Sequence, residues 1–383
     1  MAQREMSQWL QETDHRRNPS SVHRPGQLAR ADLEAARRRI AAALGAEPME
    51  VTLCSGGTEA DALAVLGVCR AQRAKAGRAG LLTSPLEHAA VLQSARRLAH
   101  DGVAVRFVDV DQVGRIRPEA VAAALARWPD IGVVSLSAAN HELGNRYDIP
   151  SFVAAAREVS PDVVMHTDAV QAWGKVPVDF AGWGVDALSV SAHKIGGPAG
   201  VGALVHRRDL ELSPLFGGGA QERGRRPGTE AAVLIQGFAA AAGGVPERLE
   251  AAPAVRSLRD RLRDGLLALS RPSREIEVLG DVDEHVGNTV LARFEGCRGE
   301  LVMMNLDLEG IAVSTGSACS VGRVEPSPVV LALGHPATAA NSVVRFSLGP
   351  ENQAHEIERV LAVLPPVLER VHRASMTDGG TRA

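Results

Sequence analysis

The sequence predicts an α/β protein: a large domain on a mostly parallel seven-stranded sheet, followed by a smaller C-terminal α/β domain. Three observations lead there. Between Val51 and about Val205, short apolar runs alternate with Ala-rich stretches at helical spacing, and strand alternating with helix gives a mostly parallel sheet covered on both faces. From about Ala254 the pattern changes to helices mixed with isolated strands. The chain has 383 residues, 45% hydrophobic and 23% charged, long enough for two cores and too apolar for a disordered or fibrous class.

Taken in order, Met1 to Arg17 (MAQREMSQWLQETDHRR) has no apolar h-region or cleavage pattern. No later stretch supplies the roughly 18 uninterrupted apolar residues of a membrane span, so a cytoplasmic protein with no membrane partner is expected. The strand runs are VTLC at 51, LLTS at 81, VAVRFV at 103, IGVVSL at 131, VVMH at 163, ALSV at 187 and GALV at 202. Helices are expected at Ala60 to Val68, Val91 to Leu98, Ala120 to Ala126 and Phe152 to Val159. A Gly/Arg-rich stretch (GGGAQERGRRPGTE) after Gly217 leads into an Ala-rich helix from Ala231. The large domain is expected at 18–253 and the small one at 254–373, with part of 1–17 able to pack on the small domain and 374–383 as a flexible tail. The 42 basic and 45 acidic residues give a net charge of -3 and are spread along the chain. With no basic stripe, a small molecule or a protein is the expected partner, and direct nucleic-acid binding is not.

The four cysteines, Cys54, Cys69, Cys297 and Cys319, show no CxxC spacing and are too sparse for a disulfide framework or a zinc knuckle. No metal site is expected, and a cysteine that matters does so as a thiol. Cys54 lies in an apolar strand and Cys69 near a helix end, where packing is the expected role. Cys297, beside charged residues, reads as a loop thiol. Cys319 sits in Ser314-Thr315-Gly316-Ser317-Ala318-Cys319-Ser320, a run of small residues that cannot build a core and reads as a mobile loop, suited to a thiol that takes up a group and delivers it elsewhere.

Polar residues just after the strands should gather at the carboxyl edge of the sheet, where α/β folds bind ligands. Ser55-Gly56-Gly57-Thr58 follows a strand and opens a helix, so its N–H groups and hydroxyls can hold a phosphate; alone, the motif reads more readily as a strand-to-helix turn with a Ser cap. Ser191-Ala192-His193-Lys194 ends another strand and places a lysine where a Schiff base could form. Asp168 and Gln171 follow the strand VVMH, and an aspartate paired with a pyridinium nitrogen keeps such a ring protonated. His88, after LLTS, can stack on a flat cofactor or carry a proton. Each residue alone has a plainer reading, as cap, loop residue or surface histidine. Their origin in strand ends of one sheet favours a site.

The order SGGTEAD, EHAAV, NHELG, HTDAVQAWGK, SAHKIGGP, GGGAQERGRRPGT and STGSAC resembles the cysteine desulfurases of the class V aminotransferase fold, from about Asn18 to about Gly349. The resemblance implies a pyridoxal-phosphate-dependent transferase fold of type I and pyridoxal 5'-phosphate as cofactor. It assigns the cofactor to Lys194, with His88 over the ring, Asp168 at its nitrogen and Gln171 near the phenolic oxygen. It assigns the phosphate to Gly57, Thr58, Ser191 and His193, with Thr229 reaching the phosphate of a neighbouring subunit in a homodimer. Cys319 looks like the nucleophile of the long-loop group. Lys194 and His88 are then the other catalytic residues, moving protons while L-cysteine becomes L-alanine and its sulfur is left on Cys319 as a persulfide for an acceptor protein. Arg345, in Val343-Val344-Arg345-Phe346-Ser347, matches the residue that binds the substrate carboxylate, and Asn18 is expected to help there.

Two features depart from the family pattern. Nothing in Met1 to Arg17 matches the usual initial strand and Ala-x-Thr-Thr segment, and Asn140-His141-Glu142 stands where Asn-Asn-Glu is common. His141 therefore takes the place of an asparagine at the cofactor oxygen, where its hydrogen bond would respond to pH near neutrality. A smaller deviation is Pro227 in Arg226-Pro227-Gly228-Thr229. Two alternatives are compatible with the departures: a related enzyme acting on selenocysteine or cysteine sulfinate, and a non-catalytic paralogue serving as a scaffold for a sulfur acceptor.

Overall fold

A computed structural model describes residues 1–11, 18–76, 80–272, 274–316 and 325–378. The chain divides into two compact units. The larger comprises Met1–Asp109, Ile116–Ala139 and Tyr147–Leu249; the smaller comprises Val110–Arg115, Asn140–Arg146 and the chain from Glu250. Sequence reading, which drew one boundary after residue 253, had no means of seeing that two short segments of the first half belong with the second.

The larger unit is organised by seven strands: β1 (Val51–Cys54), β2 (Gly80–Thr83), β3 (Val105–Phe107), β4 (Ile131–Ser135), β5 (Val164–Asp168), β6 (Ala187–Ser191) and β7 (Gly202–His206). Their order across the sheet is β1-β7-β6-β5-β4-β2-β3, with β7 antiparallel to both neighbours and every other pair parallel. The expected fold class is thus the observed one. All strands but the edge strand β3 are buried along their whole length, as a sheet covered on both faces requires. Because β7 alone is reversed, the carboxyl ends of β1 to β6 lie on one edge.

Several residues on those buried strands are polar, and their hydrogen bonds are made within the sheet. Thr52 Oγ1 meets His206 Nε2 at 3.0 Å, and the His166 ring bridges Ser135 Oγ (2.8 Å at Nδ1) and Ser189 Oγ (2.9 Å at Nε2). Burial pushes His166 down to about 3 and His206 down to about 4, so both are neutral at pH 7. The apolar core includes Trp173, packed edge-on against Phe238 with centroids 5.8 Å apart; truncating such a residue costs about 3–5 kcal/mol.

The helix Ala2–Gln11 packs on the helix Ala232–Gly243 of the same unit, and Trp9 Nε1 donates to Asp32 Oδ2 at 3.0 Å. The described part of 1–17 therefore belongs to the larger unit, where sequence reading allowed it on the smaller one. Its apolar stripe finds the Ala-rich face of that helix, and Met6 lies so close to Gly237 that an added Cβ would come within 2.6 Å of its sulfur.

The Gly/Arg-rich stretch forms a tight turn, Gln221–Gly224, in which Glu222 and Arg223 take left-handed φ values of 48° and 59°. Such residues persist only when surroundings over-determine them. Arg37 donates from Nη1 and Nη2 to the Glu222 carboxylate at 2.7 Å each, and Leu53 N–H donates to the same carboxylate at 2.8 Å.

The smaller unit has a three-stranded antiparallel sheet, β8 (Ile276–Leu279), β9 (Thr289–Phe294) and β10 (Val343–Ser347), in the order β10-β9-β8. Its core contains Leu262, Leu266, Ile276, Val290, Phe294, Val344, Phe346 and Leu364. Cys297 belongs to that core too. It is 1% exposed, with Sγ directed at the Leu368 carbonyl 3.8 Å away. This corrects its reading as a loop thiol: Glu295 and Arg298 lie outside the core cluster, and the thiol packs inward. Among the described residues no helix is long and apolar enough to cross a membrane.

Candidate active site

In the larger unit, β1, β2, β5 and β6 each deliver part of the constellation to the shared edge. After β1, Ser55-Gly56 turns into the helix Gly57–Ala62, which continues through a π-helical turn at Leu63–Gly67 to Ala76. A Cβ on Gly57 would lie 2.7 Å from Val170 Cγ2, so only glycine lets the turn approach the segment after β5 this closely. The first N–H groups of this helix have no intrahelical acceptor. Glu59 fixes the turn: its carboxylate accepts from Ser55 N–H at 2.7 Å and from Arg226 Nε at 2.8 Å. Arg226 in turn anchors the segment carrying Thr229, which is exposed.

After β2, His88 caps the helix Ala89–His100, accepting the Ala90 N–H on Nδ1 at 3.1 Å. In the neutral form its ring proton is therefore on Nε2. At the end of β5, Asp168 is buried and accepts the Val170 N–H at 2.8 Å. Burial raises its pKa, opposed by that bond, by the charge of His88, by a hydrogen bond from Asp61 and by the charge of Lys194. After β6 the chain makes a single 3₁₀ turn, Ala192–Ile195, closed by Gly196 in the left-handed region at φ 80°. The turn carries Lys194 and His193, whose Nδ1 meets Ser191 Oγ at 2.8 Å. Burial, and then the charge of Lys194, push His193 down, which keeps it neutral.

Gln171 accepts a short hydrogen bond from the Lys175 amine. Asn18 stands apart from this group: it is exposed, and its Oδ1 accepts the Ser20 N–H at 2.9 Å in a local turn.

Within the smaller unit, Arg345 projects from β10 on the face opposite Val344 and Phe346. Its Nη1 donates to the His141 carbonyl at 2.6 Å, while its Nε is buried with no hydrogen-bond partner among the described residues. The backbone of Arg345 pairs with Ser314. Glu142 lies behind the same group. Ser327 Oγ donates to its Oε2 at 2.5 Å, and a Cβ on Gly316 would come 2.4 Å from that oxygen. Burial raises the Glu142 carboxyl to about 7, against the Ser327 hydrogen bond and the Arg345 charge. Cys319 lies outside the described residues. Cys54, Cys69 and Cys297 are buried thiols; burial pushes Cys54 and Cys69 up to about 12, which makes them inert.

Sequence reading missed Asp61, Glu87, Glu142 and Lys175. Glu87 is buried with Oε1 accepting the Ser137 N–H at 3.0 Å, and burial, reinforced by the charge of Asp168, lifts it to about 8. Its position beside His88 was the available signal. Asp61 lies three residues past Thr58, within reach of a helix face that the SGGTEAD motif already marked.

The class-V aminotransferase family model matches residues 3–360. The chain is 43% identical over 364 residues to the cysteine desulfurase of Cereibacter sphaeroides, covering 94% of this chain and 90% of that protein. It is 41% identical over 371 residues to the IscS-like cysteine desulfurase of Mycobacterium tuberculosis, covering 95% and 92%. A solved structure titled NifS-like protein superposes with a TM-score of 0.86 at 31% identity, covering 96% of this chain and 94% of that one. With a family model spanning most of its length, relatives of this similarity and the sheet order described above, the chain belongs to the class-V aminotransferase family, in the branch that contains the cysteine desulfurases.

Proposed function

We propose that the chain is a cysteine desulfurase that uses pyridoxal 5'-phosphate, converts L-cysteine to L-alanine and carries the sulfur as a persulfide on Cys319. The observation that carries this reading is the pairing of Lys194 and Asp168 at the carboxyl ends of adjacent parallel strands, within electrostatic reach of each other.

Two features of the structure fit the cofactor and an amino-acid substrate. A carboxyl as desolvated as Asp168 is costly as an anion unless a cation meets it, and a protonated pyridine nitrogen is such a cation. Arg345 has a buried Nε without a hydrogen-bond partner among the described residues, which a substrate carboxylate would satisfy in a charge-assisted bond. In this proposal Lys194 holds the cofactor, with Asp168 at the ring nitrogen, His88 on the ring face, and Gln171 and His141 at the phenolic oxygen. Gly57, Thr58, Ser191 and His193 hold the phosphate, and the exposed Thr229 serves the site of a second copy in a homodimer. When bound, the cofactor supplies an electron sink for negative charge developing on the substrate.

The chain's own groups do the rest. Arg345 fixes the amino acid by its carboxylate, with Asn18 proposed to assist. The Lys194 amine takes and returns a proton at the substrate, and His88 is the proposed acid/base for the sulfur-transfer step. The Cys319 thiolate bonds to the substrate sulfur as the carbon–sulfur bond breaks. That bond's electron pair stays on carbon, where a proton replaces the sulfur to give alanine. One thiol and one cysteine thus become one persulfide and one alanine, with no outside oxidant or reductant.

Borohydride treatment of the protein loaded with pyridoxal 5'-phosphate, followed by peptide mass spectrometry, tests the reading. The pyridoxyl label is expected on the peptide containing Lys194. A label on another lysine, or a yellow Lys194→Ala variant that labels equally, refutes it.

A further inference from the structure

We propose that Lys175 is a positioning residue for Gln171: its ammonium holds the carboxamide oxygen, so that the amide N–H groups of Gln171 are the end left to meet a ligand. The contact lies within the larger unit and stands on its own; its consequence at the cofactor's phenolic oxygen rests on the reading above.

Gln171 and Lys175 both follow β5, on the stretch that begins with Asp168. There the Ala172 and Trp173 N–H groups donate to the Ala169 carbonyl at 3.0 and 2.9 Å, and the Lys175 and Val176 N–H groups donate to the Ala172 carbonyl at 3.0 Å each. Two turns in succession bring side chains four residues apart together, and Lys175 Nζ donates to Gln171 Oε1. The stretch is held from two sides. Trp173 is 1% exposed and packs on Phe238. Gly174, at φ 76°, lies so close to the residue after Lys194 that an added Cβ would come within 2.9 Å of Ile195 Cγ2. The backbone that presents Gln171 is thus seated against the turn that presents Lys194, and the end of the Gln171 side chain is what remains to be fixed.

A glutamine by itself has no single orientation at that end. Its terminal torsion is broad and two-fold, and a half turn about it exchanges an acceptor oxygen for a donor NH2 of nearly the same shape. An ammonium removes the choice: it has three donors and no acceptor, so only the carboxamide oxygen can meet it. The bond is charge-assisted, roughly twice as strong as one between neutral groups. Flipping the amide would lose that bond and set an NH2 against the ammonium. With the oxygen held, Gln171 presents its N–H groups, and a donor favours the ionised form of an oxygen it meets. A phenolic oxygen that carries negative charge is the ligand group such an end fits.

Two variants separate this role from packing. Lys175→Met keeps most of the side chain and removes the ammonium; Lys175→Arg restores donors. In the protein without cofactor, the carbon-13 NMR signal of the Gln171 carboxamide, assigned by its loss in Gln171→Leu, should be displaced in Lys175→Met and lie near its native position in Lys175→Arg. An unmoved signal in Lys175→Met overturns the proposal whether or not the cofactor binds. With pyridoxal 5'-phosphate, Lys175→Met should raise the dissociation constant about tenfold, the scale of one hydrogen bond, and shift the visible absorbance of the bound cofactor. Lys175→Arg should restore both. Made in a Gln171→Leu background, Lys175→Met should weaken binding by less than about twofold, because the residue it acts through is gone. Equal losses in the two backgrounds would mean that Lys175 acts on the cofactor by its charge alone, and overturn the proposal. A displaced carboxamide signal, together with a Gln171→Leu variant that binds the cofactor as tightly as the native protein, leaves the Lys175–Gln171 contact standing and refutes the placing of Gln171 at the cofactor.

Discussion

Glu87 makes the larger unit's stability depend on pH in a way that one substitution removes. Its carboxyl, ordinarily at 4.5, is lifted to about 8 by burial, with the Ser137 hydrogen bonds opposing and the Asp168 charge adding. Below pH 4.5 both the folded and the unfolded chain carry the proton. Above it the unfolded chain gives the proton up while the folded chain retains it, so stability falls as pH rises and levels off beyond about 8. The interval from 4.5 to about 8, at about 1.4 kcal/mol per pH unit, corresponds to about 5 kcal/mol. Glu87→Gln keeps the acceptor for the Ser137 N–H and removes the titration. The four tryptophans, Trp9, Trp128, Trp173 and Trp183, all lie in the larger unit, so urea unfolding followed by tryptophan fluorescence reports that unit alone. Between pH 5 and 8 the native protein should lose at least about 2 kcal/mol more than the variant, and up to about 4, after allowance for Asp168 and Asp61 titrating with it. Parallel curves for the two proteins would show that the Glu87 proton is not retained on folding.

Other substitutions should separate structural from chemical roles. Arg37→Ala strands the Glu222 carboxylate in a site where the two side chains are 3% and 1% exposed, and breaking such a buried pair costs about 3–5 kcal/mol; a loss under about 1 kcal/mol in the same fluorescence assay would remove that pair as the anchor of the strained turn. Arg345→Ala should raise KM for L-cysteine about a hundredfold while borohydride labelling of Lys194 persists; an unchanged KM would send the carboxylate elsewhere. Alkylation of the native protein should label Cys319 ahead of Cys54, Cys69 and Cys297, whose thiols burial holds neutral. Preferential labelling of any of those three would contradict the assignment of the reactive thiol.

The seven strands of the large sheet were legible because each is a short apolar run bounded by turn residues, and the polar residues at their ends announced the edge where Lys194, Asp168 and His88 gather. Register was not legible. His166 and Ser189 each look unremarkable in the sequence, and only the alignment of β4, β5 and β6 sets Ser189 beside both His166 and Asp168. Cys297 was misread because its charged neighbours suggested a loop, although a tight turn after β9 faces a single residue inward. Asn140–Arg146 was read for its motif alone. That it belongs with the chain from Glu250 depends on long-range pairs such as Arg345 with His141 and Ser327 with Glu142, which no local pattern encodes. Cys319 lies outside the described residues, and its role stands on the sequence alone.

The central claim is that sulfur leaves L-cysteine through Cys319. The most direct measurement is the yield of alanine and sulfide from L-cysteine, with a thiol reductant present, for the native protein and for Cys319→Ala. Equal amounts of both products from the native protein, and neither from the variant, are the expected result. Undiminished production by the variant, or none by a native protein that is yellow with cofactor, would contradict the account.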